Sequence, residues 1–216
     1  MTKLITFSIW GNNPNYIIGA IKNAILAQTI YPDWICRFYI DKIAKQNSNI
    51  KYLNTLKNTE IIDYDIVGNW TFNIKRFYPL SENIQYMISR DCDSRLSTRE
   101  KLAVDEWIDS GKSFHIMRDH PFHFNFPILA GMCGGTKILK DSSYFTHNTD
   151  YGHYSDQIFL QQYIYPIIQK DCFIHDSTSN NTGQPFKSTR VSKEFIGDSF
   201  DVLDNRHPEY HKYISK

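Results

Sequence analysis

The strongest constraint on this chain is the regular exchange of short apolar runs with helix-patterned ones. Leu4–Trp10, Ile35–Ile40, Glu60–Tyr64, Ile84–Ser89 and Ser113–Met117 each have the length and composition of a strand. Between them, Tyr16–Gln28 sets Ile17, Ala20, Ile21, Ala24 and Ile25 at helical spacing after the turn Gly11-Asn12-Asn13-Pro14-Asn15. Ile50–Lys57 predicts a short helix. Ser97-Thr98-Arg99-Glu100 reads as a capping box opening a helix that stops at Ser110-Gly111. Pro127–Met132 predicts a further strand, Tyr154–Ile168 a helix, and Cys172–His175 a last short strand. Trp70–Pro79 is aromatic and less regular, with Trp70, Phe72, Phe77 and Tyr78 read as core, and Ser177–Pro185 reads as a surface loop. Such alternation predicts an α/β fold with a mixed, mainly parallel sheet flanked by helices. At 216 residues there is material for one substantial core but not for two enzyme-sized domains. We place the domain at residues 1–200 and read 201–216 as a C-terminal tail or linker stub.

Composition removes several function classes. Lys+Arg number 24 against Asp+Glu 23, so there is no electrostatic footprint for nucleic acid. The first apolar run is broken by Gly11–Asn15, too short for a signal peptide or a transmembrane span, which leads us to expect a cytoplasmic protein. Cys36, Cys92, Cys133 and Cys172 form no CxxC pair, which excludes zinc-ribbon and thioredoxin-type sites and predicts reduced, mostly buried thiols. Phosphate cradles of the G-x-G-x-x-G or Walker type are absent.

In folds of this class, ligands sit at the carboxyl ends of the strands. The run Ile84–Ser89 ends there in a polar knot, Arg90-Asp91-Cys92-Asp93-Ser94-Arg95. Two carboxylates one residue apart at a strand end can present oxygens to one point if the chain turns, a donor set suited to Mn²⁺ or Mg²⁺ bridging to a diphosphate. The competing reading pairs Asp91 and Asp93 structurally with Arg90 and Arg95.

The segment Ile88–Arg95 resembles the D-x-D segment of nucleotide-sugar glycosyltransferases of the GT-A fold. The longer pattern RDCDSR, RE, AVDEW, SGKSFHIMRDHPFH and PILAGMCGG is similar to a group of small bacterial and large-DNA-virus glycosyltransferases, most densely from Arg90 to Gly135. A looser resemblance is to glycogenin- and galactinol-synthase-like transferases. In these, D-x-D is followed by a small-residue strand, a D-Q…L helix and a histidine, here Gly131–Gly135, Asp156–Leu160 and Phe173–Asp176. That likeness implies His175 as third metal ligand beside Asp91 and Asp93. It also implies a nucleotide-sugar donor, of which a UDP-sugar is our expectation, and a glycan or other hydroxyl acceptor.

Candidate roles follow. Asp156 could cap its helix, accept the acceptor's proton in an inverting transfer, or position the donor sugar in a retaining one. Asp119 is the second catalytic candidate and, with Arg118 and His120, a candidate for sugar and diphosphate contacts. A zinc site from His115, His120 and His123 is disfavoured by spacing that crosses different elements. Gly131 and Gly134, with Gln157, are candidate substrate contacts, the glycines through close backbone approach to a sugar or between packed elements. Ser8, Trp10 and Gly11 end the first strand under the nucleotide. Asp63 or Asp65 could receive a uracil N–H or simply be a turn residue, and Arg76 and Arg90 are candidate diphosphate ligands. Two other classes compete: a metal-dependent nucleotidyl- or phosphotransferase, and a non-catalytic carbohydrate-binding protein of the same shape.

Overall fold

Alternate side chains of strand β1 (Lys3–Ile9) enter opposite layers: Ile5, Phe7 and Ile9 join one apolar cluster and Leu4 another. The computed structural model describes residues 2–147, 150–177 and 182–214, so part of the Ser177–Pro185 loop lies outside the described residues. β1 pairs in parallel with β2 (Ile35–Ile40) and β4 (Tyr86–Ser89), and β2 with β3 (Thr59–Asp63). A short β6 (Cys133–Gly135) inserts antiparallel between β4 and β5 (Phe114–Arg118), and β7 (Cys172–Asp176) runs parallel to β5. Among the described residues the sheet order is β3-β2-β1-β4-β6-β5-β7.

The helices cover both faces. On one, α1 (Pro14–Ile30) buries Ile17, Ala20, Ala24 and Ala27, and after the single turn of α2 (Lys42–Lys45) the short α3 (Ser48–Leu53) adds Ile50 and Leu53. On the other, a 3₁₀ segment, Trp70–Ser81, contributes Ile74, Phe77 and Leu80. There it meets Phe159, Leu160, Ile164 and Ile168 of the helical run Ser155–Ile168. That run is not one helix: α5 (Ser155–Phe159) and α6 (Tyr165–Ile168) flank a π turn, Leu160–Ile164. Pro166 supplies a reason, since it has no N–H for the regular ladder.

The expected strand over Pro127–Met132 does not form. Two of its backbone groups are bonded by side chains instead: Arg118 donates to the Pro127 carbonyl (2.8 Å), and the Ala130 N–H goes to Gln157 Oε1 (3.1 Å), while Met132 bonds the backbone of Met117 and Leu129. The segment 201–214, read from sequence as a tail, lies against the body. Lys22 and Arg95 both pair with Asp204, His211 Nε2 lies 2.8 Å from Asp198 Oδ2, and Ile214 is buried. The described cysteines are free thiols, and burial pushes Cys36 and Cys133 up to about 12.

Helix α4 (Thr98–Ser110) carries the main polar anchor of the fold. Ser97 caps it by accepting the Glu100 N–H (3.2 Å), and Gly111 ends it as expected. The second half of the expected capping box is missing, because the Glu100 carboxylate turns inward to Arg90 Nε (2.7 Å) and accepts from the Tyr31 hydroxyl (3.1 Å). Arg90 also donates to the carbonyls of Ser89 and Cys133, which ties β4, β6, α1 and α4 to one guanidinium. A second anchor is Asn23, fully buried in α1. Its amide donates to the carbonyls of Cys92 and Ser94 and accepts the Leu96 N–H, fixing the turn between Asp91 and Leu96. Gly19, one turn earlier, must lack a side chain: a Cβ there would lie 2.1 Å from the Cys92 carbonyl oxygen.

Two expectations follow from this packing. Glu100→Ala strands a buried guanidinium and should cost about 3–5 kcal/mol in urea unfolding; a loss under about 1 kcal/mol would show that the pair does not anchor the fold. The buried imidazoles give the second. Burial, then the neighbouring His175, holds His115 well below the usual histidine range; burial, then His120, brings His123 to about 3. Both stay neutral in the folded chain while the unfolded chain takes up protons below about 6.5. Their contribution is therefore complete above that pH and is lost as pH falls through it. Burial lowers His120 and His175 in the same sense, while the carboxyls that burial raises, Asp93 (to about 6), Asp156 and Asp198, act in the opposite one, three carboxyls against four imidazoles. The urea midpoint should drop between pH 7 and pH 5; a constant or rising midpoint would contradict the neutral-histidine assignment.

Candidate active site

The turn after β4 and the end of β1 open on a common cleft of about 310 Å³ at the carboxyl edge of the sheet. Its floor holds three carboxyl groups, Asp91, Asp93 and Asp156, and one guanidinium, Arg76. Arg76 is buried and bridges two of them, with Nη1 2.5 Å from Asp91 Oδ1 and Nη2 2.7 Å from Asp156 Oδ2. The other oxygen of Asp156 accepts the Gln157 N–H at 2.8 Å, so both of its oxygens are engaged. Asp156 is nearly buried, and burial raises its carboxyl, an effect that Arg76 opposes. Asp93 has no ion-pair partner among the described residues; burial, and then the Asp91 carboxylate, drive its carboxyl up to about 6. The repulsive pair is held by Asn23 beneath it. Gly131 closes the other side: a Cβ there would fall 1.9 Å from Asp91 Oδ2.

The 3₁₀ segment explains how Arg76 arrives there. Side chains three apart eclipse in a 3₁₀ helix, and Trp70, Asn73 and Arg76 all line this cleft. Phe72, Lys75 and Tyr78 face a separate groove. Asn73 Oδ1 accepts from Trp10 Nε1 (3.0 Å), and its carbonyl accepts from Ser8 Oγ (3.3 Å). Ser8, Trp10, Arg76, Asp91, Asp93, Asp156 and Gln157 are thus brought together in the cleft, with Gly131 behind Asp91. The sequence reading missed Asn73, Tyr16, His153 and Tyr154, and it assigned Trp70 to the core. The three-residue spacing of Trp70, Asn73 and Arg76 was the available signal, obscured because a 3₁₀ stretch of that length is uncommon.

Other expected site residues stand elsewhere. His175 does not complete a metal site with Asp91 and Asp93. It is buried on β7, where its Nδ1 is 2.8 Å from His115 Nε2, its Nε2 is 3.4 Å from Glu106, and Phe186 stacks on its ring. No group of three or more metal-ligating side chains is found among the described residues. Asp119 is fully buried and bound by Arg99 Nε and Nη2, by Arg190, by Ser177 and by the Ile196 N–H, so it cements the loop after β7 to the sheet. Burial would raise its carboxyl, but Arg99 outweighs that and holds it low. Arg118 is committed to Thr182 and the Pro127 carbonyl. His120 caps the short 3₁₀ turn Pro121–Phe124 and meets the Tyr210 carbonyl. Arg90 is the structural anchor already described, which makes it inaccessible to a diphosphate. Gly134 sits inside β6 against Met87 and Trp107, Gly11 forms an open turn with φ +70°, and Asp63 pairs with Lys45. The polar side chains among them are bonded to partners away from the cleft, with only Arg90 Nη2 and Arg118 Nε of these residues lacking one among the described residues. Nor do Arg90 and Arg95 neutralise Asp91 and Asp93, since Arg95 turns to Asp204.

No family model matches the chain, and neither does any curated protein. Solved structures do. A glycosyltransferase involved in the glycosylation of the major capsid of PBCV-1 superposes with a TM-score of 0.50 at 14% identity, over 82% of each chain. 4-Diphosphocytidyl-2C-methyl-D-erythritolsynthase from Anaerococcus prevotii gives 0.49 at 7% identity, over 86% of this chain and 91% of that one. S. aureus TarS gives 0.42 at 10% identity over 55% of this chain; the match spans only 36% of the TarS chain. At such identities the likeness is one of fold, and the fold is the Rossmann-like arrangement of the GT-A type.

The contact at Gly131 yields a direct expectation. Gly131→Ala should displace the Asp91 carboxylate and weaken any ligand held by it at least tenfold, while the urea midpoint moves modestly. Unchanged affinity for nucleotide with Mn²⁺ would show that Asp91 is not a contact.

Proposed function

We propose that this chain is a metal-dependent glycosyltransferase using a nucleoside-diphosphate sugar, with UDP the first nucleotide to test. The observation that carries the reading is the convergence of Asp91, Asp93, Asp156 and Arg76 in one cleft at the carboxyl ends of β1 and β4. The fold shared with a known glycosyltransferase is compatible with it.

Asp91 and Asp93 suit Mn²⁺ or Mg²⁺ on grounds of their own chemistry. Asp91 is half exposed to the cleft, and the Asp93 carboxyl is raised by burial and then by the neighbouring Asp91 carboxylate, a burden that a hard divalent cation relieves. When bound, such an ion neutralises the charge that builds on the departing nucleoside diphosphate. Those two carboxylates would hold the ion, and through it the donor's phosphate end, and Ser8 and Trp10 floor the nucleotide at the end of β1. Arg76 links Asp91 to Asp156, so the ligand-holding carboxylate and the one nearest the transferred sugar keep a fixed spacing. With both oxygens bonded, Asp156 is better suited to orienting donor sugar hydroxyls than to receiving the acceptor's proton.

Isothermal titration of UDP and GDP, each with and without Mn²⁺, tests this on the wild type and on Asp93→Ala. We expect metal-dependent binding of at least one nucleotide, weakened at least tenfold in the variant. Donor turnover should release nucleoside diphosphate. Binding that ignores both the metal and Asp93, no binding at all, or release of pyrophosphate would overturn the proposal.

A further inference from the structure

The carboxylate floor and the end of β1 account for only part of the cleft. Much of the rest is aromatic, and several of its rings are in contact. Trp10 meets Trp70 edge-on at 5.1 Å between centroids, Trp70 meets His153 at 4.7 Å, His153 meets Tyr154 at 5.2 Å, and Tyr154 meets Phe126 at 5.6 Å. One end of this rim belongs to the end of β1, the other to the loop after Phe124 and the start of α5. The second end is preorganised, because Gln157 Oε1 holds the Ala130 N–H and so fastens the loop carrying Phe126 to the helix that follows Tyr154. Tyr154 is 53% exposed although it lines the cleft, so an aromatic face is presented to whatever enters. It also stands two residues before Asp156.

The charges of the cleft restrict what can dock there. Its carboxyl groups outnumber its single guanidinium, that guanidinium is already bound to Asp91 and Asp156, and no lysine lines the cleft among the described residues. A phosphorylated or acidic acceptor would find no free lysine or arginine to pair with, since Arg76 is taken by Asp91 and Asp156 and a cation on Asp91 and Asp93 by the donor's phosphates. An uncharged sugar suits the same surface: its C–H face packs on aromatic rings, and its hydroxyls reach neutral groups such as the Asn125 side chain.

We infer that the Phe126–Tyr154 end of the cleft is the acceptor subsite and that the acceptor is a neutral glycan, not a phosphorylated or acidic carrier. The inference rests on the transferase reading above, and its test separates the two.

Saturation-transfer NMR on the full chain, with UDP and Mg²⁺ present, would compare lactose, maltose, cellobiose and mannobiose with glucose 6-phosphate and glucuronic acid. At least one neutral disaccharide should receive saturation on the C–H protons of one sugar ring, and the anionic sugars none. The signal should fall at least fivefold in Phe126→Ala/Tyr154→Ala and survive in Tyr154→Phe. If the double variant folds poorly, Tyr154→Ala alone serves, because that side chain is exposed. Absence of any neutral-sugar signal, an equal or stronger signal from the anionic sugars, or a signal that persists in the alanine variants would overturn the inference. Titration of UDP on the same samples distinguishes the failures: UDP binding without sugar binding overturns only the acceptor assignment. Loss of both removes the transferase reading as well.

Discussion

The buried pair of Arg90 and Glu100 is the interaction on which the remaining architecture depends. A charge so far from water is tolerable only when it is paired and most of its donors are satisfied, and of the Arg90 nitrogens Nη2 alone lacks a partner among the described residues. Arg90 therefore draws to itself a carboxylate from α4, two strand carbonyls and, through Glu100, the hydroxyl at the end of α1. The short antiparallel β6 is held beside β4 partly by this contact. The residue after Arg90 is Asp91, so the anchor also fixes where β4 stops and where the carboxylates of the cleft begin.

A second constraint shapes the turn itself. Asn23 replaces water as the partner of three backbone groups between Cys92 and Leu96, and Gly19 lets α1 approach to within contact of the same backbone. The result is a rigid turn that keeps two like charges close to one another. Folding would not choose that arrangement for stability alone. Strain or repulsion maintained by surrounding structure is characteristic of ligand sites, where a bound counter-charge offsets it.

Much of the architecture was legible in the chain. β2 was bounded at the residues expected, α4 began at its Ser97 cap, and the alternation of strands and helices led to the right class of sheet. Those features are local: period, caps and breakers act within a few residues. The misreadings were nonlocal. Glu100 has the sequence signature of a capping box, yet a buried arginine outcompetes a helix-end N–H for its carboxylate. Pro127–Met132 has strand composition, yet Arg118 and Gln157 claim two of its backbone groups. His175 follows a familiar order of segments, yet β7 carries it into a histidine pair on β5.

The sequence by itself determined the α/β class, the position of the Asp91–Asp93 knot at a strand end and the absence of a Walker or dinucleotide phosphate loop. These depend on residue types and spacings along the chain. Only the tertiary structure decided which polar residues remain available. Asp119, Arg118, His120 and Arg90 are as polar in sequence as Arg76, Asp91 and Asp156. What separates them is position: Arg76, Asp91 and Asp156 are paired with one another on the wall of the cleft, whereas the others are bound to partners away from it. That is a matter of contacts between residues distant in the chain, such as Arg76 with Asp156 or Phe126 with Tyr154, and spacing along a sequence does not encode them.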